Sequence, residues 1–318
     1  MKISPRALGL TCAVLTVLIW SSFIVVARAS AAHSLLPLDI AFLRIVGAGC
    51  VLLPWGWWLM RVQRQRNNIS GEPLSGSLMG LSPLPLRVTA LTGLFGSLLY
   101  ALLVYSAFFF APAAHASVLM PGSLPLWTSL LAVVLLHEHI TRARAMGLAC
   151  IVLGDMLVGG SSLLKAFDGG EVWKGDLMFM CAAFCWACYS VLVRRYALDP
   201  VRATIAITAF SCVGFVPVYA LAAYAGWVTT HLGSAPLGEM VFQAIYQGVG
   251  SVVISGITFN VMIRHYGPVR STMMTALVPG LSALGAVVFL NEPMSMNLLG
   301  GLALVTCGIL FGVRLPKT

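Results

Sequence analysis

Ten runs of about 20 apolar residues fill this chain, and about 20 is the length at which a helix crosses the hydrocarbon of a bilayer. The runs fall at 8–27, 38–60, 89–110, 114–136, 143–163, 175–193, 202–224, 240–263, 270–290 and 295–313. In lipid every backbone polar group must be paired within its own element, so these segments are expected to be helices. Only 9% of the 318 residues are charged, against about 25% in soluble domains. That is too little charge to cover a water-facing surface. The longest polar stretch is a Pro/Gly/Ser-rich connector at 61–88 that carries Arg61, Arg64 and Arg66, which leaves no room for a soluble domain. The expected fold is an all-α integral membrane protein of ten transmembrane helices.

The net charge of +9 does not mark a nucleic-acid partner, because the basic residues lie in short loops rather than along one helical face. Counted by loop, Lys and Arg fall 15 on one side (Lys2, Arg6, Arg61, Arg64, Arg66, Arg87, Arg142, Arg144, Arg194, Arg195, Arg202, Arg264, Arg270, Arg314, Lys317) and three on the other (Arg28, Lys165, Lys174). The positive-inside rule then puts both termini in the cytoplasm. Eight cysteines sit inside apolar runs and are expected as packed thiols, not as a disulfide framework. The N-terminal run ends in Ala29-Ser30-Ala31, like a signal-peptide cleavage site, but 7–27 exceeds the roughly 7–15 residues of a secretory h-region.

Shifted by 154 residues, the fourth and fifth spans align with the ninth and tenth without a gap. Ser117, Met120, Pro125, Leu130 and Glu138 meet Ser271, Met274, Pro279, Leu284 and Glu292. Gly147 and Gly154 meet Gly301 and Gly308, within 13 identities over positions 117–154. A shift of 166 pairs Gly9, Trp20, Val25 and Arg28 with Gly175, Trp186, Val191 and Arg194. The chain therefore divides at 1–163 and 164–318. Five spans per half is odd, so the second half is inverted, the arrangement that places a solute site at the repeat interface of secondary transporters.

The Trp-centred first helix Trp20-Ser21-Ser22-Phe23, the helix-ending Glu138 and Asn291-Glu292-Pro293, and the Gly-rich fifth helix after each resemble the drug/metabolite transporter superfamily, in particular its EamA-type branch. The resemblance covers nearly the whole chain. It implies a metabolite exporter of a bacterial inner membrane, with four helices of each half around a cavity and the fifth and tenth behind. It departs in the long basic connector and in Trp186-Ala187-Cys188-Tyr189, where the serine pair is missing.

Trp20 and Trp186 lie mid-helix, away from the interfacial aromatic belt, and are expected to line the cavity. Ser21, Ser22, Tyr100, Tyr189, Tyr246 and Gln247 are the polar lining candidates, although small hydroxyl residues also serve helix packing. Pro121, Pro125 and Pro279 remove backbone donors and are expected to kink their helices, with Pro125 and Pro279 as a matched pair. Arg44 and Asp155 are the most deeply placed charges, hence candidates for proton coupling, and a salt bridge between them is one expectation. Glu138 and Glu292 are expected to fix the turn into the following helix. His137-Glu138-His139 has metal-site letters, but its side chains diverge on a helix. Cys181, Cys185 and Cys188 share a face without further ligands, so no metal and no cofactor is expected.

The leading expectation is a secondary transporter that exports amino acids or related amphipathic metabolites by alternating access, with protons as a candidate coupling ion. Uptake or exchange of a sugar, nucleotide-linked or drug-like solute is the alternative. Phosphorylated solutes, however, call for several cavity cations that the sequence lacks. A membrane enzyme would need a convergent catalytic cluster, and none is evident.

Overall fold

The computed structural model describes residues 5–31, 33–70, 76–165, 169–275 and 277–313. Lys2, Arg314 and Lys317 of the charge count lie outside them, and of Arg6, Arg66 and Lys165 only the backbone is described. Ten helices cross in turn: α1 Pro5–Ala31, α2 Pro37–Ser70, α3 Leu86–Phe110, α4 Ala113–Leu136, α5 Arg142–Lys165, α6 Val172–Arg195, α7 Pro200–Tyr224, α8 Leu237–Tyr266, α9 Pro268–Leu290 and α10 Met296–Val313. Nine are long and apolar enough to span a membrane, and α10 is a shorter apolar helix. The protein is an all-α integral membrane protein of ten helices.

Helix starts follow local chemistry. Proline opens α2, α7 and α9, where a missing N–H costs nothing. Asp199 caps α7 by accepting from the amides of Val201 and Arg202 at 3.1 and 3.2 Å. The helix ends show the duplication at atomic level. His137 (φ 56°) and Asn291 (φ 54°), 154 residues apart, both turn left-handed to end α4 and α9. The following amides, of Glu138 and Glu292, then donate to Ala132 and Ala286 carbonyls, each at 3.2 Å.

The inverted relation of the halves is visible where α5 and α10 pack on each other. A Cβ at Gly154 would stand 2.8 Å from the Gly301 carbonyl oxygen, and one at Gly308 would stand 2.5 Å from that of Gly147. Gly147 corresponds to Gly301 and Gly154 to Gly308, so the two contacts exchange under the repeat. Glycine is required here because two backbones meet, the small-residue mode of membrane helix packing. Elsewhere the halves interlock, with α1 against α8 and α9, α4 against α6, and α2 against α7 and α8.

Three features differ from expectation. α2 runs ten residues past the predicted 60, because 57–70 contain no Gly or Pro and its Arg and Gln are good helix formers. The paired prolines sit in different local settings. α4 is one helix through Pro121 and Pro125. α9, in contrast, breaks after Met274 and restarts at Val278, with Pro279 in the new first turn, where its missing donor is not needed. Finally, α3 and α8 each contain a π-helical stretch, at Leu94–Leu99 and Ala244–Ile254. Such wide turns re-aim side chains and recur at functional sites.

Candidate functional site

Where the halves meet, α1, α3, α4, α6 and α9 enclose a cavity lined by Trp20, Phe23, Ile24, Tyr100, Met120, Pro121, Leu124, Ala183, Trp186 and Val278. The two duplicated tryptophans face each other edge to face, with ring centroids 5.8 Å apart at 80°. Phe259 of α8 stands 4.8 Å from Trp20, and Tyr100 and Tyr189 stand 5.0 and 5.2 Å from Trp186. The free volume is about 40 Å³, room for a few waters. A larger solute enters only if these rings separate.

Helix α8 supplies the hydroxyls that hold this wall. Ser255 accepts the Trp20 indole N–H at 3.3 Å. One turn earlier, Ser251 accepts from Arg44 Nη1 at 3.2 Å, and Tyr105 of α3 accepts from the same nitrogen at 3.3 Å. Arg44 is only 4% exposed. Its guanidinium carbon lies 5.7 Å from the Phe23 ring and 5.8 Å from the Tyr100 ring, both of which line the cavity. The buried indole N–H of Trp186 has no hydrogen-bond partner among the described residues.

The expected salt bridge between Arg44 and Asp155 does not form. Asp155 lies in α5, the helix packed behind the cavity, beside Gly122 and Val305. Its two buried oxygens accept no hydrogen bond among the described residues. Ser21 and Ser22 satisfy their hydroxyls on the carbonyls of Val17 and Leu18, the helix-internal alternative for such residues. Tyr246 donates to Ser22 at an exposed position, away from the cavity lining. Gln247 is fully buried, its amide has no hydrogen-bond partner among the described residues, and it too lies outside the lining. Tyr189 packs behind Trp186 and accepts from Asn260 at 2.6 Å. Of the residues expected at the site, the structure brings Trp20, Tyr100, Trp186 and Pro121 together. It adds Phe23, Met120 and Phe259, which apolar sequence alone does not single out.

The carboxylate ties between the halves gather at one end of the bundle. There Glu292 accepts from Arg28 Nε at 3.2 Å and from the amides of Ala113 and Ala114 at 3.1 and 2.9 Å, while Arg28 Nη1 donates to the Phe108 carbonyl at 2.6 Å. Glu292 thus caps α4 of the other half, a carboxylate on a positive helix N-terminus. It was expected to fix its own following turn. Beside it His115 meets Asp176 at 2.9 Å, and the fully buried Asp39 accepts from Tyr219, Thr230 and the His231 amide. All three groupings join the halves.

Under the repeat the counterparts of Arg28, Ala113, Ala114 and Glu292 are Arg194, Gly267, Pro268 and Glu138. At that opposite end Glu138 pairs with Arg144 at 3.6 Å, within its own half and across its own turn. Arg194, Glu138 and Gly267 line an open cavity of about 280 Å³ together with Arg144, His265 and Arg270. Proline also removes one of the two amides that such a cap would use.

The sequence profile of the EamA-like transporter family matches residues 7–160 and again 173–314. The uncharacterized transporter YyaM of Bacillus subtilis (strain 168) is 25% identical over 242 residues, covering 72% of this chain and 74% of the relative. A probable amino-acid metabolite efflux pump of Salmonella typhimurium (strain LT2) is 24% identical over 228 residues, covering 69% and 74%. One crystal structure, at 22% identity, superimposes with a TM-score of 0.61 over 98% of both chains and shows the fold alone.

Proposed function

The chain belongs to the EamA-like transporter family, and from that premise we propose that it exports amino acids or related amphipathic metabolites across a bacterial inner membrane by alternating access. It is a transporter of small solutes and not an enzyme. The observation that carries the finer reading is the aromatic cavity at the junction of the inverted halves, with a tryptophan from each on opposite walls. A planar or branched apolar group stacks on such faces. The efflux-pump relative points to the same solute class.

In this reading the charge count places both termini in the cytoplasm, so the Glu292 end faces outward. The outer gate is then shut by Glu292, Arg28 and the α4 N-terminus, while the duplicated inner set stands apart. Turnover exchanges the two: Glu138 and Arg194 close inside as Glu292 and Arg28 part outside. Asp155 remains the carboxylate to examine if a proton drives the cycle.

The test is counterflow of labelled phenylalanine and tryptophan into liposomes that contain the purified protein, with Trp20→Ala and Trp186→Ala in parallel. Protein-dependent flux that both substitutions lower is the expected result. Flux unaffected by either would remove the aromatic cavity as the route. An absence of amino-acid flux would remove the solute class.

A further inference from the structure

We infer that Arg44 is the receptor for a carboxylate on the transported solute, so that the site selects molecules carrying one carboxylate beside an apolar or aromatic group. This rests on the aromatic cavity being the solute site and names the chemistry of what enters it.

The inference begins from a charge that the protein itself does not neutralise. Arg44 is buried, and none of the five ion pairs among the described residues includes it. A guanidinium carries five N–H donors in a planar fork. Two neutral hydroxyls, from Tyr105 and Ser251, both accept from Nη1. Two aromatic rings, Phe23 and Tyr100, stand within cation–π range of the guanidinium carbon. These contacts orient the group without cancelling its charge. An intramembrane cation is costly to keep, and is kept where it meets a ligand or an ion path.

Its location makes the ligand role specific. Phe23 and Tyr100 line the same cavity as Trp20 and Trp186, and the guanidinium stands directly behind these two rings, outside the lining itself, so it meets a solute where the rings part. An aromatic amino acid has this shape, with a ring for the tryptophans and a carboxylate a few bonds away for the fork. The guanidinium edge matches a carboxylate with two parallel hydrogen bonds. A single arginine balances one negative charge. A phosphate dianion would leave charge unmatched in an otherwise apolar chamber, and an amine without a carboxylate would meet repulsion.

Serine and tyrosine hold the fork behind the Phe23 and Tyr100 rings and act as positioning residues. Tyr105 approaches Arg44 from α3 and Ser251 from α8, the two helices with π-helical stretches.

The test is equilibrium binding to the full-length protein in nanodiscs, using 3-phenylpropionate, phenylalanine, 3-phenylpropanol and phenethylamine. These share a ring and differ in charge. In the wild type the two carboxylates should bind at least about 30-fold tighter than the alcohol and the amine, the size expected when one partner of a buried charged pair is missing. Arg44→Gln should bring the carboxylates down to the alcohol's affinity and leave the alcohol unchanged, while Arg44→Lys recovers part of the difference. Equal wild-type binding of acid and alcohol would overturn the assignment. So would an Arg44→Gln loss of equal size for all four, which is what a purely structural arginine gives. If none of the four binds, the aromatic-solute reading fails first and the carboxylate assignment falls with it. The wild-type series decides the matter even if Arg44→Gln does not fold.

Discussion

The two ends of this bundle are built from duplicated residues, yet one is tied and the other is slack. At the Glu292 end an ion pair, a helix cap, a His–Asp contact and a buried aspartate all run between the halves. At the Glu138 end the ion pairs among the described residues, Glu138–Arg144 and Arg264–Asp199, stay within one half. The glycine contacts of α5 and α10, by contrast, obey the repeat closely. Symmetry is kept where α5 and α10 meet backbone to backbone and is broken at the two ends, the difference on which the proposed alternating access rests.

The largest effect should come from the symmetric part. Gly154→Leu and Gly308→Leu each drive a side chain into a facing backbone, and each should cost about 3 kcal/mol or prevent folding. Detergent melting curves should show similar losses for both. A tolerated Gly308→Leu beside a lethal Gly154→Leu would break the symmetry of this seam.

Next comes the asymmetry itself. Glu292→Gln removes the charge from a partly buried cap and pair and should cost about 1.5–3 kcal/mol. Glu138→Gln, in a long 3.6 Å pair whose carboxylate side chain is 39% exposed, should change stability by under about 1 kcal/mol. Thermal unfolding of the two variants side by side reads the difference, and equal losses would mean that the ends do not differ. Asp176→Asn, which leaves His115 with a neutral partner at the same end, should fall between them at about 1–2 kcal/mol. The smallest effect belongs to Arg264→Ala. Its pair with Asp199 is largely solvated, and it should shift melting by less than about 0.5 kcal/mol. A loss as large as that of Asp176→Asn would show a load at the slack end that the geometry does not reveal.

Much of this was legible in the amino-acid string. Apolar runs of spanning length locate the ten helices, and the 154-residue offset finds the seam glycines and the two helix-ending glutamates, though not the left-handed residues before them. The 166-residue offset singles out Trp20 and Trp186. What could not be read depends on how helices turn about their axes. A π-helical stretch in α3 or α8 leaves no mark in an apolar run, so hydropathy cannot tell Tyr100 in the chamber from Tyr246 outside it. Pro125 and Pro279 match in sequence and differ in structure, because α9 breaks just before its proline and α4 does not. The partners of Arg44 lie on α3 and α8, while Asp155 lies on a helix that packs behind, and no spacing rule encodes that choice. The Glu292 tie was within reach. The two offsets pair Arg28 with Arg194 and Glu138 with Glu292, and together they mark a basic and an acidic residue duplicated at helix ends on opposite sides.

The most direct measurement tethers the tied end. Ser34 and Glu239 join the halves there, with the serine hydroxyl 2.8 Å from the carboxylate. Ser34→Cys with Glu239→Cys, in a background cleared of the eight native cysteines, can be bridged by a short bifunctional thiol reagent. The account predicts that bridged protein in liposomes still binds labelled phenylalanine but loses counterflow, and that a reducible bridge restores flux when cleaved. Counterflow at the full rate with the bridge in place would contradict it, because solute would then cross without the Glu292 end ever opening.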